Sequence, residues 1–378
     1  MTQPKRLIFQ RRIALLAALA LCALPPIAQG SLWSRLGLTG NHTKDVATEV
    51  ADLHEDGNVY GLAFSPDGRE LATVLSDRLS IHVWDWRAGR IIRTLKKVRG
   101  SGQPEAPMPL AYSPDGRFLA TCHGRALGSV VIRVWNAKTG ALVHDIIDPN
   151  GGTGPACAFS PDGRYLYRVL DRASNPGDNL VAYSTRTWQS VWGIRTDPLG
   201  LNTLAVSPNG RFLAAGGLAY VPPDAHHPNG FFQTRIVIVD IARRAIVRRF
   251  AAFPIAIPGH ISDLWQLAWS PDGVHLAAGL WDAVPGSADA VRIFNARTGA
   301  LVTGETTPDE SDIYGLRYTP NGKYLIESTL SGHVLIWDGQ HRHLLQSIRG
   351  EPECLAVSAD SRYLALGGDH QVQVWRLK

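Results

Sequence analysis

AFSPDG at residues 63–68 and AWSPDG at 268–273 are two copies of one phrase, and that phrase decides the fold. Further copies read AYSPDG at 111–116, AFSPDG at 158–163, AVSPNG at 205–210 and RYTPNG at 317–322. A worn copy, AVSADS, stands at 356–361. The chemistry is that of a hairpin turn. Ser or Thr caps it, Pro presets φ, Asp or Asn tolerates the next position, and Gly takes a positive φ. The Ser or Thr falls at 65, 113, 160, 207, 270, 319 and 358, so the spacings are 48, 47, 47, 63, 49 and 39. A recurrence of this size marks a repeat architecture.

An apolar alternating strand precedes each turn. A second follows it, as in Leu71-Ala72-Thr73 and Leu276-Ala277-Ala278. A third ends in IHVWD at 81–85, IRVWN at 132–136, VIVDI at 237–241, VRIFN at 291–295, VLIWD at 334–338 and VQVWR at 372–376. A second turn and a fourth strand then follow, as at 137–143 and 296–302. Four antiparallel strands per repeat make a propeller blade, and seven copies make seven blades. The expected fold is all-β: a seven-bladed β-propeller of four-stranded antiparallel blades.

These phrases and strand endings resemble the WD-repeat family across residues 47–378. The resemblance implies a buried His–Ser/Thr–Asp–Trp set in each blade. Blade one offers His54, Thr73, Asp77 and Trp84, with Trp84 one residue later than usual. Blade five keeps His260 and Asp289 but has Phe294 for Trp, and blade three has Tyr183-Ser184 for the WD pair. The resemblance also implies a clasp. Blade seven has only three strands of its own, and ATEVADL at 47–53 has the length of the missing outer one.

The N-terminus reads as an export signal. Lys5, Arg6, Arg11 and Arg12 precede the apolar run IALLAALALCA at 13–23, and Ala28-Gln29-Gly30 offers small residues for cleavage. Residues 1–30 are thus a signal peptide, with an uncleaved anchor as the alternative, and 31–46 a linker. Those four basic residues make most of the formal charge of +5. The remainder is near neutral and gives no electrostatic reason to expect a polyanionic partner, so no nucleic-acid partner is expected. The expected location is periplasmic or secreted, in the cell envelope, with no membrane contact beyond a possible N-terminal anchor and a monomeric chain. Cys122, Cys157 and Cys354 would remain after cleavage. They permit at most one internal bond, and we read them as three buried thiols acting as small hydrophobes.

The sequence favours binding over catalysis. It contains no G-x-S-x-G elbow and no phosphate loop that opens a helix. Asp224, His226 and His227 lie in the blade-four insertion and read as solvated loop residues rather than a metal site. His123, Asp171 and Asp282 fall on the same face. No cofactor or metal is expected. Arg243, Arg244, Arg248 and Arg249 form the densest basic cluster but point to opposite ends of their blade. The long connections between second and third strands, near 121–129, 170–179, 216–233 and 279–288, should crowd one face. Counting back five residues from each turn Ser or Thr gives the residue entering the innermost strand: Tyr60, Met108, Pro155, Asn202, Trp265, Tyr314 and Glu353. Tyr60, Trp265 and Tyr314, with Trp281, Asp282 and Tyr220, are the candidate binding residues. The expected role is an exported scaffold for a protein or peptide. The alternative is an exported propeller enzyme of lactonase, lyase or dehydrogenase type, with its site at the channel mouth.

Overall fold

The computed structural model describes residues 45–75, 80–95, 105–125, 130–148, 156–170, 177–196, 200–223, 231–253, 263–281, 290–305, 312–340, 343–350 and 352–378. The proposed signal segment, most of the linker, Asp77, Pro155, Asp171, Asp224, His226, His227, His260, Asp282 and Asp289 lie outside them. So do the side chains of Met108 and His123.

Strand β1 (Ala47–His54) precedes blade one. That blade is β2 (Val59–Phe64), β3 (Glu70–Leu75), β4 (Ile81–Asp85) and β5 (Arg90–Leu95). Blade two is β6 (Glu105–Tyr112), β7 (Phe118–Arg125), β8 (Val130–Asn136) and β9 (Leu142–Asp148). Blade three is β10 (Ala156–Phe159), β11 (Tyr165–Val169), β12 (Leu180–Ser184) and β13 (Ser190–Ile194). Blade four is β14 (Gly200–Val206), β15 (Phe212–Val221), β16 (Phe231–Asp240) and β17 (Ala245–Ala251). Blade five is β18 (Asp263–Trp269), β19 (His275–Trp281), β20 (Val291–Asn295) and β21 (Leu301–Glu305). Blade six is β22 (Ile313–Tyr318), β23 (Tyr324–Thr329), β24 (His333–Asp338) and β25 (Leu344–Arg349). Blade seven is β26 (Cys354–Val357), β27 (Tyr363–Gly368) and β28 (Gln371–Leu377), completed by β1. Each blade is a four-stranded antiparallel sheet in sequence order, and the seven first strands β2, β6, β10, β14, β18, β22 and β26 pack in a closed ring. The fold is the seven-bladed propeller.

The repeated phrase folds as the turn its residues demand. In blade one the Ser65 hydroxyl donates to Asp67 Oδ1 at 2.6 Å and accepts from the Glu70 amide at 2.9 Å, while the Gly68 amide donates to the Ser65 carbonyl at 2.8 Å. Gly68 stands at φ 69°, where a Cβ is disfavoured. The same bonds recur around Ser113, Ser160, Ser207, Ser270, Thr319 and Ser358. In the worn copy Ser361 keeps the positive φ, at 63°, and its hydroxyl accepts from the Asn321 amide of blade six at 2.9 Å.

The core lies between blades. One cluster joins Val59, Leu62 and Trp84 of blade one to Ala365, Val372 and Val374 of blade seven, with Leu53 of the clasp. Close approach selects small residues at these faces. A Cβ on Gly279 would stand 2.8 Å from Ile313 Cγ2 of the next blade.

Closure follows the predicted clasp. Strand β1 pairs antiparallel with β28, from Ala47 opposite Leu377 to His54 opposite Gln371. Val46, read from sequence as the last linker residue, is buried instead. Gln346 Oε1 accepts from the amides of Val46 and Ala47 at 2.8 and 2.7 Å. Two further sequence readings need correction. The stretch 216–233 is not all loop: β15 and β16 pair over ten residues each, and an extended hairpin accounts for much of the blade-four insertion. Cys122 and Cys157 are not free thiols but are bonded, with Cα atoms 6.5 Å apart, joining β7 of blade two to β10 of blade three. Their sequence separation of 35 hid a proximity that only blade stacking creates. Cys354 stays reduced, and burial pushes its thiol well above the ordinary range.

Deleting residues 1–40 should leave the melting temperature nearly unchanged, whereas deleting 1–56 removes β1, exposes the edge of β28 and should cause severe destabilisation or aggregation. Equal melting of the two truncations would contradict the clasp.

The turns also predict an acid response. Asp67 is held below the usual carboxylate range, chiefly by the Ser65 hydroxyl. At Asp115, Asp162, Asp272 and Asp360 burial pushes upward, but the serine hydroxyl and the following amide outweigh it and the net shift is down. A depressed carboxylate contributes stability above its unfolded pKa of about 3.9, which is lost as pH falls through the folded value. The melting temperature should drop as pH falls from about 5 to 3. Replacing all five by Asn, which Asn209 and Asn321 already show to be compatible, should flatten that drop. An unaltered pH profile would refute this account.

Candidate functional site

In blades one, four, five and six the residue that enters the innermost strand is set apart by a β-bulge. In blade one the pairing jumps from Val59–Leu75 to Gly61–Val74, so Tyr60 is an extra residue with no partner on β3. Asn202, Trp265 and Tyr314 occupy the same bulge in blades four, five and six. A bulge re-aims the side chain it carries. It turns these residues off the blade face and towards one end of the ring, at the mouth of the central channel.

Three aromatic rings there form a continuous surface. Trp265 stacks on Trp281, with centroids 5.1 Å apart, and Trp281 meets Tyr314 at 5.0 Å across the boundary of blades five and six. All three are half-buried. Tyr60, at 43% exposure, lies beyond blade seven, next to Glu353. Burial, and then the Glu353 carboxylate, push the Tyr60 hydroxyl up. The same causes, joined by Asp312 and Tyr60, push Tyr314 up to about 12. Both phenols are neutral donors at ordinary pH. The crescent therefore offers broad apolar faces with hydrogen-bonding tips and an acidic flank, a surface suited to anchoring a partner. Tyr220 belongs elsewhere. At 51% exposure it packs on Phe232, 5.5 Å away, on the extended hairpin of blade four. The sequence points to Tyr220 but not to Phe232, because only the extended pairing of β15 with β16 brings the two rings together.

The buried polar set of blade one differs from the expected one. Its hub is Glu55, 1% exposed. Glu55 Oε1 accepts from the Thr73 hydroxyl at 2.6 Å and from Trp84 Nε1 at 2.7 Å, and Oε2 lies 2.6 Å from His82 Nδ1. His54 is exposed instead, with its ring 6.3 Å from that of His370. His54 lies within β1 and faces away, so the next residue turns inward. The sequence signal for this hub is the carboxylate adjacent to His54. The Glu55 backbone also bonds the β27–β28 turn, donating to the His370 carbonyl at 2.9 Å. The network thus ties the clasp to blade one. In blades two and seven Trp135 Nε1 and Trp375 Nε1 find no hydrogen-bond partner among the described residues. Among those residues, too, no three His, Cys, Asp or Glu side chains converge as a metal ion would require, and no helix is long and apolar enough to cross a membrane.

The family described as WD domain, G-beta repeat matches residues 48–85, 253–284 and 343–376, in blades one, five and seven. Those three segments carry WD40 repeats. The chain is 27% identical over 281 residues to the "Periodic tryptophan protein 2 homolog" of Dictyostelium discoideum, covering 73% of this chain and 26% of that protein. It is 28% identical over 174 residues to "SEC12-like protein 1" of Arabidopsis thaliana, covering 46% of this chain and 41% of that one. A WD repeat-containing protein of Synechocystis is 28% identical over 195 residues, covering 42% and 53%. The chain thus spans only about a quarter of the length of the periodic tryptophan proteins it resembles.

Removing the Glu55 carboxylate should orphan three buried groups. Glu55→Ala should cost about 3–5 kcal/mol by denaturant unfolding, whereas His54→Ala should change stability by less than about 0.5 kcal/mol. The reverse ranking would overturn the assignment of the hub.

Proposed function

We propose that this WD40 propeller is a non-catalytic scaffold, exported to the periplasm or cell envelope, that holds a protein or peptide against its aromatic crescent. The observation that carries the binding role is the placement of Tyr60, Trp265 and Tyr314 on equivalent bulges, with Trp281 completing a contiguous surface. Packing alone would not need bulges. The core between the same blades is already filled by Ala268, Ala277, Leu316 and Ile313. Aromatic side chains at a concave centre supply large contact area at low conformational cost.

Two features support export. One is the basic, then apolar, then small-residue pattern of residues 1–30. The other is the Cys122–Cys157 bond, since disulfides persist in oxidising compartments.

The test is site-specific photo-crosslinking in the native cell. A benzophenone side chain at position 60 or 314 should give the same discrete protein adduct. The same probe at Lys138, in the turn between β8 and β9 at the opposite end, should give none. The adduct should fractionate with the envelope, and Cys122 and Cys157 should resist alkylation until reduced. Trp281→Ala should weaken the captured partner's affinity by about 2 kcal/mol, roughly thirty-fold in Kd. Adducts of equal yield from Lys138, or none from the mouth, would refute the binding role. Reduced cysteines in a cytosolic fraction would refute export alone.

A further inference from the structure

Six of the seven innermost strands carry alanine two residues before the turn Ser or Thr: Ala63, Ala111, Ala158, Ala205, Ala268 and Ala356. All are buried or half-buried. The seventh carries Arg317, which is exposed. Its exposure is not to the outer surface. Arg317 lies on β22 within the ring of first strands. It reaches Gln266 on β18 of blade five, and the Cys354 thiol on β26 of blade seven is its electrostatic neighbour. The guanidinium is therefore in the channel, below the aromatic rim.

The guanidinium is held but not neutralised. Its Nη1 donates to Gln266 Oε1 at 3.1 Å and to its own strand's Leu316 carbonyl at 2.7 Å. Gln266 is fixed in turn, because its Nε2 donates to the Tyr314 carbonyl at 2.9 Å. Nη2 and Nε make no hydrogen bond, and no carboxylate pairs with Arg317, among the described residues. Surrounding protein pulls the arginine pKa down, as burial of an unpaired cation must, though a guanidinium stays charged. The Cys354 thiol beside it is kept neutral by burial and provides no counter-charge. An oriented cation with a free two-nitrogen edge, open to a channel, matches the geometry of one carboxylate.

We propose that the channel of this propeller contains a carboxylate-binding site, in which Arg317, oriented by Gln266, grips a singly charged carboxylate. One guanidinium balances one negative charge. A phosphate carrying nearly two would be under-compensated and would also pass Glu353 and Asp312 at the rim. The carboxylate could come from a free small acid or from the terminus of a peptide that enters the mouth. The site stands independently of whether a protein docks on the crescent.

The test is saturation-transfer NMR on the full chain, with acetate, tetraglycine and amidated tetraglycine as probes at constant ionic strength. Acetate or free-acid tetraglycine should bind saturably, and the amide at least tenfold more weakly. If tetraglycine binds ten times more tightly than acetate, the physiological carboxylate is a peptide terminus. If acetate binds as tightly or better, it is a free small acid. Arg317→Ala should lower binding at least tenfold while the melting temperature stays within about 2 °C, because alanine is the residue of the other six blades at this register. Arg317→Lys, which keeps the charge but loses the fork, should bind several-fold more weakly than the parent chain, and it serves as the comparison should the alanine variant unfold. Binding unaffected by either substitution, inorganic phosphate displacing the acetate signal as effectively as unlabelled formate does, or no binding by either carboxylate would overturn the site.

Discussion

A ring of sheets has no free choice at its last junction: the seventh blade must meet the first. Six of the interfaces are made between neighbours in sequence, and each needs only a short connection. The seventh joins residues more than 300 positions apart, and it is made twice over. Strand β1 hydrogen-bonds along β28, while the residue that follows it, Glu55, sends a carboxylate into blade one. Arg87 lies over the Trp86 ring of blade one at 4.1 Å and over the Tyr363 ring of blade seven at 5.1 Å, which seals the same seam. Every inter-blade cluster depends on this closure, since opening one seam exposes an edge strand and an apolar face together.

The features legible in the sequence are those written locally and repeated. The turn phrase dictates its own hydrogen bonds, so the blade count and the order of strands follow from it. The clasp was legible as well, because a blade lacking its outer strand leaves a definite vacancy. What was not legible arises where separate blades meet. Cys122 and Cys157 lie on different blades, and nothing in their spacing shows that β7 and β10 stack. His54 and Glu55 are adjacent, and only the exit angle of β1 decides which of them turns inward. The blade-four insertion reads as polar loop, yet Phe231, Phe232 and Tyr220 supply enough cross-strand contact to extend the hairpin.

The candidate site was half legible. Counting from the turns gave Tyr60, Trp265 and Tyr314 as equivalent positions, and the structure brings Trp265, Trp281 and Tyr314 together. The reason they project was invisible, because a bulge is one extra residue in a strand whose pairing is unknown until the sheet is built. Arg317 stands in the repeat phrase itself, as the arginine of RYTPNG. It gains meaning only when its six counterparts are seen to be alanines around one axis.

The bulges separate two jobs that a strand residue ordinarily shares. A paired residue in β2 or β18 must fit both its cross-strand neighbour and the next blade, so its identity is constrained by packing. A bulged residue has no opposite number, and the chain shows the result internally: tyrosine, asparagine and tryptophan occupy the same geometric slot in different blades. The propeller thereby carries, in blades one, four, five and six, independently variable positions around one opening, each replaceable without redesign of the sheet beneath it. Such a frame can change what it recognises one blade at a time, at almost no cost to the architecture that presents it.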